Sequence, residues 1–185
     1  MQAEHELPPP LDEQTPAGDP EAVARVVCLR LLDKRARSRA ELEQALRRRG
    51  VPDDAAARVL DRFSEVGLVD DATLAHSMAS AQHRERGLAR RAVAGKLRSR
   101  GFDDDVVADA LTEIDGSDER QRAYELAERR VRALSRLPGE VQLRRLAGYL
   151  GRKGYPAGLA FEVARAVVGE NGVSDESDIV NSDSW

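Results

Sequence analysis

One short spelling occurs three times in this 185-residue chain and constrains the fold more than any other feature. It is a leucine, three residues, a glycine, and then an apolar or aromatic residue. The copies are Leu46, Gly50, Val51; Leu97, Gly101, Phe102; and Leu150, Gly154, Tyr155, with the glycines 51 and 53 residues apart. Four residues before each leucine stands another apolar side chain, Leu42, Val93 or Leu146, which is the stripe of a helix that buries one face. A glycine just past a helix takes the left-handed conformation that other residues resist, and the next apolar residue folds back on the leucine. Each copy therefore reads as the end of a helix.

A second amphipathic helix follows each stop. At six, nine, ten and thirteen residues beyond the glycine stand Ala56, Val59, Leu60, Phe63; Val107, Ala110, Leu111, Ile114; and Ala160, Val163, Ala164, Val167. All are apolar, at the spacing of a core-facing helix. Asp53-Asp54 and Asp103-Asp104-Asp105 bring acceptors and negative charge to two of these helix starts, and Pro156 serves the third. A further helix is predicted before each pair, over 22–34, 72–86 and 119–134, facing the core with Val23, Val27, Leu31; Leu74, Met78, Ala81; and Leu126, Ala127, Val131. Ser38 and Glu41 spell a capping box, Asp70-Asp71 opens the second unit, and Ser117-Asp118 after Gly116 opens the third.

No stretch alternates with a period of two over strand length, so the expected fold is all-α: an elongated, curved array of three tandem three-helix repeats over 21–69, 70–115 and 116–169. A unit of about 50 residues buries its apolar face poorly alone, and stacking supplies the missing burial. Leu68 and Val69 make the first junction apolar and packed, whereas 115–118 reads as a hinge.

The charge is unevenly placed. Residues 1–20 and 170–185 hold ten carboxylates and no Lys or Arg, and their Pro, Ser, Asp and Asn content marks both as disordered acidic tails. Such tails aid solubility; a sharper reading has them compete with a polyanion for the rest of the chain. Residues 21–169 carry 29 bases against 23 carboxylates, a surplus of six. The single cysteine, Cys28, excludes an internal disulfide and suits a reducing compartment. Apolar runs are far shorter than a membrane span and no basic residue opens a leader, so a cytoplasmic protein is expected.

The run Gly67-Leu68-Val69-Asp70-Asp71, then Ala75, then Gly87 with Arg90-Arg91, then Leu97 to Phe102 through Gly101, resembles the central signature of the RecX family. The resemblance extends over residues 22–168. It departs at Leu74, where the family commonly has an aromatic residue, and in the small size of Ala92, Val93 and Ala94. The resemblance implies tandem three-helix repeats that bind the helical groove of the RecA nucleoprotein filament, inhibit its activities and limit its extension in recombination, DNA repair and the SOS response. RecA and its filament on DNA are then the partners, with no cofactor and no metal, and the chain is a monomer.

Binding chemistry is expected on the middle helix of each repeat. At 100° per residue, positions ten and three before the glycine lie about 160° and 140° from the core direction. These are Arg91 and Arg98 in the second repeat, Arg47 in the first and Arg144 in the third, with Arg48, Arg90, Arg145 and Arg152 nearby. Guanidinium forks suit phosphates or carboxylates, although a single surface arginine is more often only solvated. Arg49, Arg100 and Lys153, just before the glycines, point near the core and lay their stems over apolar surface. Phe63, Phe102, Tyr155 and Phe161 fall at core or cap positions, so contact with DNA is expected through phosphates and without base preference.

His76 and His83 lack an evident third metal ligand, Cys28 sits among apolar neighbours, and no Walker loop or nucleophile elbow is present, so no enzyme is expected. Two rival readings are a helix-turn-helix transcription regulator and a general helical adaptor. Three copies without Asn or Gln on the recognition helices weigh against the first, whereas the second would bind protein without any basic requirement.

Overall fold

The three repeated stops close as helix ends of one geometry. In this structure, a computed structural model that describes residues 18–177, Gly50, Gly101 and Gly154 have φ of 72°, 79° and 94°. The N–H groups of Val51, Phe102 and Tyr155 donate to the carbonyls of Leu46, Leu97 and Leu150 at 3.2, 3.4 and 3.2 Å. That six-to-one bond, with the apolar residue returned onto the leucine, is the Schellman motif.

Among the described residues there are nine α-helices and no strand. The first three are α1 (Pro20–Lys34), α2 (Arg39–Arg48) and α3 (Asp53–Glu65); the second three are α4 (Asp71–Arg84), α5 (Arg90–Ser99) and α6 (Asp104–Ala110). The last three are α7 (Gly116–Val131), extended by a 3-10 turn at Arg132–Leu134, then α8 (Gly139–Arg152) and α9 (Ala157–Ser177). The chain is thus all-α, in three successive sets of three helices. Of the two acidic tails, residues 1–17 and 178–185 lie outside the described residues, while helix α9 continues to Ser177, beyond the expected end of the third repeat. None of the described helices is long and apolar enough to cross a membrane.

Packing divides the described residues into two compact units that meet between Leu74 and Ala75, inside α4. In the first unit Leu42, Leu46 and Leu60 are fully enclosed together with Val27 and Cys28. Burial pushes the Cys28 thiol up to about 11, so it is an inert apolar neighbour. In the second unit the four positions counted from Gly101 and the four counted from Gly154 are all buried. All eighteen stripe positions are buried, although α6 ends at Ala110, so Leu111 and Ile114 enter the core from the turn beyond it rather than from the helix the spacing predicted.

The sequence misjudged four details. The face of α4 that enters the core is Ala75, Ala79 and His83, whereas Leu74 and Met78 are only partly covered: small residues let α4 approach its neighbours closely and displace the larger side chains to the flank. Helix α7 is capped by Asp115, whose carboxylate accepts from Ser117 N–H at 2.7 Å and Asp118 N–H at 2.9 Å, so Ser117 and Asp118 are already inside the helix. The expected hinge at 115–118 is therefore a capped helix start within the second unit. At the first junction Val69 is buried but Leu68 is 50% exposed.

Some caps also differ in kind. The Ser38 and Glu41 capping box forms as spelled, with both bonds present. Asp53 and Asp104 sit in the first turns of α3 and α6 with no side-chain cap, so these acids act through charge on the helix dipole.

Candidate functional site

The signature residues divide between two duties, both structural. Asp70 accepts from the Thr73 N–H at 2.9 Å and the Thr73 hydroxyl at 2.7 Å, which starts α4, and these bonds hold its carboxyl below the usual carboxylate value. Asp71 reaches across to accept from the Arg39 N–H at 2.9 Å, thereby capping the start of α2. One member of the acidic pair thus serves its own helix and the other serves a helix 32 residues back. Gly67 and Gly101 take positive φ at helix ends, and Leu97 is fully buried.

Gly87 is required for space as well as conformation. Its φ is 63°, and a Cβ there would lie 2.6 Å from Leu126 Cδ1. The same condition holds at Gly154, where a Cβ would lie 2.6 Å from Ala92 Cβ. The small residue at 92 is the counterpart of that glycine. Around these two contacts the Ala89 N–H donates to the Lys153 carbonyl at 3.0 Å and the buried Tyr155 hydroxyl donates to the Gly87 carbonyl at 3.3 Å. Burial raises the Tyr155 phenol well above its ordinary value, which favours the protonated donor. The turn after α8 therefore locks against the α4–α5 turn, inside the second unit.

The eight arginines expected to form a binding face are all exposed, but they are not equivalent. Arg90 is occupied by the fold: its Nη1 donates to the carbonyls of Leu111 at 2.6 Å and Ile114 at 2.8 Å, tying off the end of α6. It is a staple rather than an outward fork, because the first helical turn of α5 sits over these two carbonyls, of which Leu111's already accepts from the Ile114 N–H at 3.1 Å. Arg47 pairs with Asp53 at 3.5 Å and Arg98 with Asp104 at 2.7 Å, each with the acid that opens the next helix. Arg48, Arg91, Arg144, Arg145 and Arg152 make no ion pair among the described residues.

In the third repeat the unpaired cations gather. A groove of about 380 Å³ between α7 and α8 is lined by Arg130, Arg144, Arg145 and Arg152, with Leu134, Gly148 and Tyr149 completing it and no carboxylate in the lining. The Tyr149 ring carries Arg130 on one contact, 5.9 Å from the ring centroid, and Lys153 Nζ on another at 5.6 Å. Partial burial, and then the charge of nearby Arg122, hold the Lys153 ammonium below its ordinary value. Gly148 leaves the helix surface bare, so that a Cβ there would come within 3.5 Å of Arg152 Nη1. Sequence reasoning named three of these arginines and missed Arg130 and Tyr149; the run Arg129-Arg130 at the end of α7 was the available signal. It also placed Phe161 at a core or cap position, yet that ring is 50% exposed on α9, because it falls one residue beyond the buried Ala160 on the outer side of the stripe.

Neither of the two remaining histidines of note gathers ligands. His76 Nε2 bonds with Asp109 at 3.0 Å, and the buried His83 bonds through Nδ1 with the Leu88 carbonyl at 2.8 Å. Among the described residues no group of three or more His, Cys, Asp or Glu could hold a metal ion.

Comparison with known proteins agrees with this architecture. Three family models match in order: the RecX first three-helix domain over residues 24–63, the second over 70–111 and the third over 118–164. A regulatory protein RecX from Thermobifida fusca is 48% identical over 152 residues, covering 82% of each chain. The regulatory protein RecX of Streptomyces coelicolor is 43% identical over 161 residues, 87% of this chain and 86% of that one. In fold, the chain is similar to a crystal structure of RecX from Lactobacillus salivarius, with a TM-score of 0.71 at 19% identity over 84% of this chain and 98% of the other.

Proposed function

The chain belongs to the RecX family, and from that premise we propose that it is a non-catalytic regulator that inhibits the RecA recombinase. It binds the RecA filament on DNA as a monomer in the cytoplasm, through the outer faces of repeats 21–69, 70–115 and 116–169, and limits filament extension during recombination, repair and the SOS response. The observation that supports this reading is the set of exposed arginines that lack an internal acid, Arg48, Arg91, Arg144, Arg145 and Arg152, on a family of helical repeats. Uncompensated guanidinium groups present donors to carboxylates or phosphates without first breaking an ion pair. Arg47 and Arg98 contribute less, since their partners must be displaced, and Arg90 contributes through the fold alone.

The test is a titration of the full chain into RecA with single-stranded DNA and ATP, following ATP hydrolysis and filament length. Loss of both at stoichiometric protein supports the role. Unchanged hydrolysis and unchanged length overturn it.

A further inference from the structure

We propose that the groove between α7 and α8 is a phosphodiester-backbone site, so that this chain binds nucleic acid through its third repeat without RecA. This deepens the reading above, since three of the same arginines take part, but it concerns a contact measurable with the recombinase absent.

The first ground is a difference between the repeats. In the first two, the arginine three residues before the glycine is neutralised by the acid three residues after it, Arg47 by Asp53 and Arg98 by Asp104. In the third, those positions are Gly151 and Ala157. The local acid has gone, and cations stand at other positions of the same helix and on α7. Arg144, Arg145, Arg152 and Arg130 line one groove, and none of them is paired among the described residues.

The second ground is what the groove lacks. A site for a folded protein partner needs an apolar anchor at its centre, with charge kept to the rim. Here the apolar lining is Leu134, which is buried, and the Tyr149 ring, against which Arg130 and Lys153 already pack. Apart from Leu134, Tyr149 and Gly148, the lining consists of guanidinium donors and their positive charge. A uniformly charged polymer takes advantage of that, and its binding is driven by the release of counterions. Arg145 and Arg152 stand seven residues apart on α8, about 10.5 Å along the axis, so the cations follow the groove rather than meeting at a point. Contacts of this kind read no sequence.

The experiment uses the full chain and a fluorescently labelled, mixed-sequence single-stranded oligonucleotide, with binding followed by anisotropy from low to physiological salt. Arg144→Gln/Arg145→Gln is compared with Arg62→Gln/Arg120→Gln, which removes equal charge from arginines paired with Glu65 and Glu162. Circular dichroism confirms that both variants are folded. The groove variant is expected to lose affinity about tenfold, with a log–log salt slope shallower by about 1.4, since each single-strand phosphate contact contributes roughly 0.7. The paired-site variant is expected to stay within about twofold, as a neutralised arginine contributes little to long-range attraction. Equal loss in both variants, no loss in the groove variant, absence of binding by the wild-type chain, or equally good competition by poly-glutamate would each overturn the site.

The two proposals fail separately. Oligonucleotide binding through the groove with RecA unaffected removes the regulatory role and leaves the site. Inhibition of RecA by wild type and groove variant alike, with no oligonucleotide bound, removes the site and leaves the role.

Discussion

The turns after α2 and after α8 have the same spelling and the same backbone, and they do different work. Around Gly50 nothing approaches within 4 Å of the missing Cβ, and the surface beside it is neutralised by the Arg47–Asp53 pair. Around Gly154 a Cβ would strike Ala92, Lys153 and Tyr155 hold the α4–α5 turn, and the arginines of the adjoining groove carry no acid. The first turn only ends a helix. The second ends a helix, joins two repeats and leaves a basic groove uncovered. A repeated sequence therefore fixes repeated local geometry, while the residues just outside it decide whether the copy becomes surface or junction.

That contrast is sharpest in stability. Gly154→Ala is expected to cost about 3 kcal/mol, from left-handed strain plus overpacking on Ala92, whereas Gly50→Ala is expected to cost about 1 kcal/mol from strain alone. Urea midpoints measure the gap, and equal costs would break the distinction. Next in size, Arg90→Ala should lose roughly 1–2 kcal/mol because two carbonyls at the end of α6 lose a charged donor, while its neighbour Arg91→Ala should stay within about 0.5 kcal/mol.

The caps respond to pH in a direction that can be worked out. The Ser117 hydroxyl, then the Asp118 and Ser117 N–H groups, hold the Asp115 carboxyl below its ordinary 3.8. A carboxyl with a lowered folded value stabilises fully above its unfolded value and loses that contribution as pH falls through the folded one. Asp115→Ala should therefore be less stable than wild type near neutrality, and the difference should close as the pH drops below 3.8. A difference that widened in acid would contradict the assignment. The smallest effect is expected for Ala157→Asp, which restores to the third repeat the acid of the other two. It should add roughly 0.5 kcal/mol through the helix dipole while weakening oligonucleotide binding.

The fold was legible where periodicity and backbone chemistry speak together. The leucine, glycine and apolar residue of each stop fix one hydrogen-bonding pattern, and the stripe positions have nowhere to go but a core. The site was legible only in part. Helical angle showed that Arg90 starts near an outer face, but not that the turn after α6 places the Leu111 and Ile114 carbonyls within its reach, which depends on tertiary packing. The same angle gave no means to pair Arg98 with Asp104 across a turn, or to bring Arg130 of α7 beside Tyr149 of α8. Alanine and histidine on α4 were passed over because hydrophobic size was counted, where close approach between helices selected for small side chains.

Arginine-selective labelling with phenylglyoxal, read by mass spectrometry on the chain alone and on the chain bound to RecA filaments on single-stranded DNA, addresses the uncompensated cations directly. Arg144, Arg145 and Arg152 should react freely in the isolated chain and become protected on binding, while Arg58, Arg62 and Arg120, each held by an acid, change little. Protection that falls on those paired arginines and leaves the α8 arginines reactive would contradict the account.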